Sequence, residues 1–269
     1  MLRYEDLKDI SDGKVYGPDD QALLGTDGCR GCSYCCKSDM GDSIVLTPYD
    51  VYELTLGTGL SFDDMLVGGQ IEISMIDGLA MPHLKMDQGC KFLMDDRCSI
   101  HNYRPGICRL FPLGRLYKDK GFDYILQTQQ CICENRTPVT IRDWLGIDDL
   151  AQNDAFIIKW RGFLKYERKK VSEINEMSGY EMERIRGLEE KELREYASIV
   201  GDKEEQDFDL EQYRQDKLEE LSQEAEDRIR EVMKSVLSVM YMDSYDKNVA
   251  FYSQFDSRLK QSFAIIRKL

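Results

Sequence analysis

Residues 28–37 read GCRGCSYCCK, and residues 98–112 read CSIHNYRPGICRLFP. The first stretch sets Cys29, Cys32 and Cys35 at intervals of three with Cys36 directly following; the second carries Cys98, His101, Arg104, Pro105, Cys108 and Arg109. Cysteines at i, i+3 and i+6 wrap a short loop so that three sulfurs point toward one centre, as in ferredoxin-type segments that hold three corners of an iron–sulfur cubane. A zinc knuckle needs only one C-x2-C and a second pair from elsewhere. The spacing leans toward iron–sulfur and leaves zinc open. Because the closing Cys-Pro of the ferredoxin pattern is missing, the fourth ligand has to come from a distant cysteine, and Cys108 is the candidate. Side chains of adjacent residues diverge, so one of Cys35 and Cys36 faces a second centre or bridges.

Working outward, Cys90, Cys131 and Cys133 complete the nine cysteines, and from Pro138 to Leu269 there is none. The first half is built around thiolate chemistry and the second is not. Cys90, Cys98, Cys108 and Cys131 supply enough partners for a second centre. Cys98-x2-His101 has metal-ligand spacing, although a hydrogen-bonding imidazole is the plainer role for His101 where thiolates are plentiful. His83, with no cysteine at close spacing, reads as structural. Arg104 and Arg109 set two guanidiniums beside Cys108, where they offset the negative charge of a thiolate-ligated centre and donate to sulfur. The other role for such an arginine is a bidentate grip on a carboxylate or phosphate. Phe111-Pro112 is placed to close the turn and shield the site.

The first twenty residues lack the basic start and apolar run of a secretory signal, and no later stretch is apolar for long enough to cross a bilayer. The expectation is a cytoplasmic protein. In a reducing compartment clustered cysteines are metal ligands or redox-active thiols, and an odd count argues against a closed disulfide framework. A formal charge of −14 disfavours nucleic acid and anionic membranes as partners. No phosphate-binding glycine loop, G-x-S-x-G elbow or H-E-x-x-H helix is present.

Thr47-Pro48-Tyr49-Asp50 reads as a helix start, and Ser61-Phe62-Asp63-Asp64 repeats the signal. Ile71, Ile73 and Met75 alternate with polar residues toward Asp77-Gly78, a favoured hairpin turn, and Phe122–Thr128 reads as another strand. Trp144 to Leu164 suggests one or two helices packing back on the cysteine fold. Val171, Ile174, Met177, Ile185 and Leu188 form a stripe on a further helix. Leu218, Leu221, Ala225, Ile229, Val232, Val236 and Val239 form another, after a turn over 201–209. A last helix is expected over 248–267. The class is α+β: a cysteine-rich region of short helices and strands over 1–137, then a mostly helical region over 138–269.

Cys29-x2-Cys32-x2-Cys35-Cys36, Thr47-Pro48-x-Asp50, Cys90-x-Phe92-Leu93 and Cys98-x-Ile100-His101-x2-Arg104-Pro105-x2-Cys108-Arg109-x-Phe111-Pro112 occur together and in order. This series resembles the YkgJ-type cysteine-cluster family, described as a zinc- or iron-chelating domain, over about Gly28 to Leu145. The resemblance implies metal chelation and leaves zinc or iron, and Cys131 or Cys133, undecided. The related flagellin lysine N-methylases carry a comparable cysteine cluster. The leading expectation is a metal-binding protein holding one or two centres, as an iron–sulfur cluster of the 4Fe–4S type or as zinc. Two others stand beside it: a protein-modifying, methyltransferase-like enzyme that uses the centre, and a structural zinc fold presenting the acidic helical region to a protein partner.

Overall fold

The computed structural model describes residues 7–26, 32–37, 44–87, 89–199 and 209–268. Cys29 and most of the expected turn over 201–209 lie outside the described residues. After α1 (Leu7–Ile10) and β1 (Gln21–Gly25), the short helix α2 (Tyr34–Lys37) carries the Cys35–Cys36 pair. Helix α3 (Pro48–Thr58) begins as its sequence requires. Thr47 is the N-cap, Pro48 opens the first turn, and the Asp50 side chain returns a hydrogen bond to the cap, closing a capping box. Ser61 and Asp64 repeat the box for α4 (Phe62–Val67).

The hairpin of β2 (Ile71–Ile76) and β3 (Leu79–Leu84) turns at Asp77 and Gly78, both with positive φ, and pairs Ile71 with Leu84 and Ile76 with Leu79. One expectation fails along it. Ile71 is buried, but Ile73 and Met75 are 38% and 62% exposed, because toward the turn the buried face of the hairpin is the opposite one, which carries Leu79, Met81 and His83. A second hairpin, β4 (Leu93–Met94) with β5 (Arg97–Cys98), turns at Asp95 and Asp96, also at positive φ. Helix α5 (Gly106–Leu110) precedes the pair β6 (Leu113–Tyr117) and β7 (Phe122–Leu126), and β8 (Thr137–Thr140) returns to pair with β1.

Among the described residues four helices follow α6 (Ile141–Leu145): α7 (Leu150–Gly187), α8 (Glu190–Ile199), α9 (Leu210–Leu237) and α10 (Phe251–Ile266), with a π-helical turn at Ser238–Met242. Two elements expected as separate helices are one: α7 runs unbroken for 38 residues. Its buried Phe156, Trp160, Phe163, Glu167, Val171 and Ile174 recur at spacings of three and four, so one stripe continues through both expected segments. Met177, expected on that stripe, is exposed.

The main core joins the two halves of the chain. Val51, Leu54, Met65, Ile71 and Leu79 pack with Phe156, Phe163, Val232, Met240 and Phe255. Aromatic rings form the seam: Tyr49 stacks on Tyr252 with centroids 5.6 Å apart, and Phe156 meets Phe255 edge-on at 4.6 Å. The Tyr241 hydroxyl donates to the Leu46 carbonyl at 3.0 Å, fixing the π-helical turn against the chain that enters α3. A smaller core of Leu24, Leu110, Leu113, Tyr124, Ile141 and Leu145 lies under the other strand pairs.

Glu167 faces inward on α7 and is only 3% exposed. Burial pushes its carboxyl up from 4.5 to about 7, with Arg168 opposing. The folded state therefore prefers the protonated acid. Stability is full below the unfolded value and falls as pH rises through the folded one, by about 3 kcal/mol for a shift of this size. In denaturant titrations the stability of Glu167→Gln relative to wild type should rise by that amount between about pH 4.5 and pH 7.5. A difference that stays flat across this window would contradict the assignment.

Candidate metal centre

Cys108 lies in the first turn of α5, a helix of five residues. Pro105, at its N-cap, offers no side-chain hydrogen bond. The open N–H of Gly106 is taken instead by Asp50, which accepts it on Oδ1 at 2.6 Å. The other oxygen of the same carboxylate accepts from the Thr47 amide at 2.7 Å and the Thr47 hydroxyl at 2.8 Å. One buried side chain thus starts α3 and holds the start of α5. Burial pushes its carboxyl up, while the bonds from Gly106 and Thr47 pull it down. A Cβ on Gly106 would stand 3.3 Å from Asp50 Oδ1, so the close approach favours glycine here.

Arg109, read from sequence as a neighbour of the bound group, is turned away from the thiols. Nε donates to the Arg104 carbonyl at 3.1 Å, Nη1 to the carbonyls of Leu145 and Gly146 at 3.4 and 3.1 Å, and Nη2 to Asn102. Glu53 completes its surroundings at 3.6 Å. The guanidinium braces the 102–104 turn against the end of α6. Arg104 takes the other orientation and faces the cysteines.

Those cysteines line one cavity of about 420 Å³: Cys32, Cys35, Cys36, Cys90, Cys98, Cys108 and Cys131. Apolar side chains, among them Ile44, Leu84, Met86, Ile100 and Trp144, make much of the remaining wall, and Phe111 and Pro112 belong to it too. The Phe111–Pro112 bond is cis, and the Phe111 carbonyl accepts from Trp144 Nε1 at 3.2 Å. Backbone bonds draw the distant cysteines together. Cys90 donates its N–H to the Cys36 carbonyl at 2.8 Å, and a Cβ on Gly89, which has φ +87°, would come within 3.2 Å of that same oxygen. Asp96, at the tip of the β4–β5 turn, accepts from Ser33 and Lys37, which flank Cys35–Cys36.

The thiols sense one another. The adjacent Cys36 thiol, with help from Arg104, lowers Cys35, and the same neighbourhood drives Cys36 up. Burial raises Cys90, Cys98 and Cys108, and for Cys108 the charges of Cys90, Asp50, Cys35 and Cys98 add to it. Buried thiols that raise one another in this way keep their protons until a cation displaces them, which is how metal binding releases thiol protons. His101 stands at the edge, its Nε2 accepting from the Arg104 guanidinium. Burial and the charges of Arg104, Arg109 and Arg97 hold it below its ordinary value and hence neutral.

The donor set fits a thiophilic metal. Four thiolates around a single zinc lie about 3.8 Å apart, as tetrahedral geometry with bonds of about 2.3 Å requires. Among the described residues no three His, Cys, Asp or Glu side chains form a group that could hold one ion as they stand. The sulfurs surround a volume rather than a point. Cys133 is not in the cavity wall. His83 is buried on β3 with Nε2 2.9 Å from Ser74 Oγ and Nδ1 3.1 Å from the Leu84 carbonyl, away from the thiols as its sequence context indicated.

Residues 28–133 match the CxxCxxCC family model, "Putative zinc- or iron-chelating domain". No curated protein and no solved structure matches the chain. The CxxCxxCC segment includes every cysteine of the cavity wall together with Asp50, Arg104 and Arg109, and α7 to α10 lie beyond it. Among the described residues no helix is long and apolar enough to cross a membrane. Neither the Asp50–Gly106 bond nor the brace made by Arg109 was readable beforehand. The only signal was that Thr-Pro-x-Asp and Arg-Pro-x2-Cys-Arg occur in one chain.

Arg109→Lys should lower the unfolding free energy by about 2 to 3 kcal/mol, since one ammonium cannot serve four carbonyls at once and leaves buried acceptors without donors. Denaturant unfolding of the metal-free protein checks this. Wild-type stability in the variant would remove Arg109 from the brace.

Proposed function

We propose that the CxxCxxCC segment is a metal-binding domain whose resident group is an iron–sulfur cluster. The observation that carries this reading is the ring of seven thiols around a single, largely apolar cavity. Cys108, Cys90, Cys98 and one of Cys35 and Cys36 are the proposed ligands, because they line the cavity together and the bond from the Cys90 N–H to the Cys36 carbonyl holds two of their segments side by side. Cys32 and Cys131 stand in the same wall as partners for a second centre or for exchange. A bound cluster supplies an electron-transfer or Lewis-acid centre whose properties follow its net charge, hydrogen bonds and exposure. Arg104 offsets the negative charge of the thiolates, and the apolar wall with Phe111, Pro112 and Trp144 limits access of water.

A second reading draws on a neighbouring cleft of about 840 Å³, which shares His101, Arg104 and Trp144 with the thiol cavity and is lined on its far side by Tyr49, Tyr103 and Tyr252. A cleft beside the centre favours an enzyme that acts on a substrate held there. The structural-zinc reading instead calls for a closed four-ligand site.

Anaerobic purification of the full chain, with iron, zinc and acid-labile sulfide measured beside the visible spectrum, tests the proposal. Iron and sulfide in equal amounts with a broad charge-transfer band are expected, and Cys108→Ser should lose most of both. Colourless protein with stoichiometric zinc, stable in air, would replace the cluster with the zinc reading.

A further inference from the structure

We infer that Asp50 is a positioning residue of the metal centre, setting the Cys108 sulfur through the hydrogen bond it accepts from the Gly106 amide. This rests on the metal-centre reading above. A helix of one turn has little stability of its own. The orientation of α5 must therefore come from outside it. Its first N–H is held at 2.6 Å by a carboxylate 56 residues away in sequence. That carboxylate sits on α3, which is itself locked into the main core by Val51, Leu54 and the Tyr49–Tyr252 stack. The Cys108 sulfur is thus referenced to the rigid core of the molecule rather than to its own loop.

Two other roles for Asp50 fail on the geometry. It does not line the thiol cavity, so it is not a ligand. Its negative charge opposes a Cys108 thiolate, which is the wrong sign for electrostatic activation of that thiol. What remains is geometry, the part that outer hydrogen-bond partners of metal ligands commonly play.

The test compares Asp50→Asn with Thr47→Ala in the full-length, metal-loaded protein. Asparagine offers one acceptor atom where the carboxylate has two, so it cannot serve the Gly106 and Thr47 amides together. Thr47→Ala removes the cap of α3 and leaves the Gly106 bond untouched, so it reports what a merely structural loss does. Metal release to a colorimetric chelator of iron or zinc is followed under native conditions, together with the absorption spectrum. Asp50→Asn should release metal about tenfold faster or more, the range usual for loss of an outer partner, and shift the spectrum. Thr47→Ala should keep the wild-type rate and spectrum.

Should Asp50→Asn fail to fold, Gly106→Pro deletes the same hydrogen bond from the donor side. The backbone of Pro105, at φ −53° and ψ 150°, already suits a following proline. It should show the same faster release. Wild-type release from folded Asp50→Asn or Gly106→Pro, or equal acceleration in Thr47→Ala, overturns the inference while leaving the metal centre standing. Wild-type protein without metal overturns both.

Discussion

A single buried carboxylate ties the scaffold to the site. Asp50 takes the two Thr47 donors with one oxygen and the Gly106 amide with the other, so the start of the core helix α3 and the start of the Cys108 helix share one anchor. Removing a buried acceptor leaves each of its donors unsatisfied, at about 1 to 3 kcal/mol apiece. That exceeds what α5 gains from forming its own single turn. The two sequence blocks Thr-Pro-x-Asp and Arg-Pro-x2-Cys-Arg are therefore halves of one device, with Arg109 holding the same turn from the opposite side through carbonyls.

Around that anchor the thiol cavity is assembled from segments with little regular structure of their own. Helix α2 has four residues, the β4 and β5 strands two each, and the segment bearing Cys131 contributes no helix or strand. Backbone bonds such as Cys90 to Cys36, and the Asp96 contacts, hold these pieces in register. Burial first, and the neighbouring charges after it, raise Cys90, Cys98 and Cys108 together, so without a cation these thiols keep their protons. Metal binding displaces those protons, which couples occupancy to pH and to the local fold.

The helical half contributes a floor. Phe156, Phe251 and Tyr252 pack against Tyr49 of α3, with Phe255 behind them, and α7 carries its buried stripe from Phe156 to Ile174 without a break. Much of this was legible in the sequence, because capping boxes, the Asp77-Gly78 turn and three-four spacing are local signals written in neighbouring residues. The continuity of α7 was not legible because its two apolar stripes are joined through Glu167, a charged residue that local pattern assigns to solvent and the fold buries. The β1–β8 ladder and the Asp50–Gly106 bond were missed for a different reason. Each joins residues far apart in sequence, and no local pattern encodes the partner. Among the candidate site residues, seven cysteines, His101 and Arg104 share one cavity, whereas the guanidinium of Arg109, next to Cys108 in sequence, donates to backbone carbonyls away from it.

On the proposed reading these thiols surround a cluster rather than a single ion. X-ray absorption at the iron edge of anaerobically purified protein tests it directly. An iron–sulfur shell accompanied by iron–iron scattering is the predicted result. A zinc edge with one sulfur shell near 2.3 Å, and no iron, would contradict it.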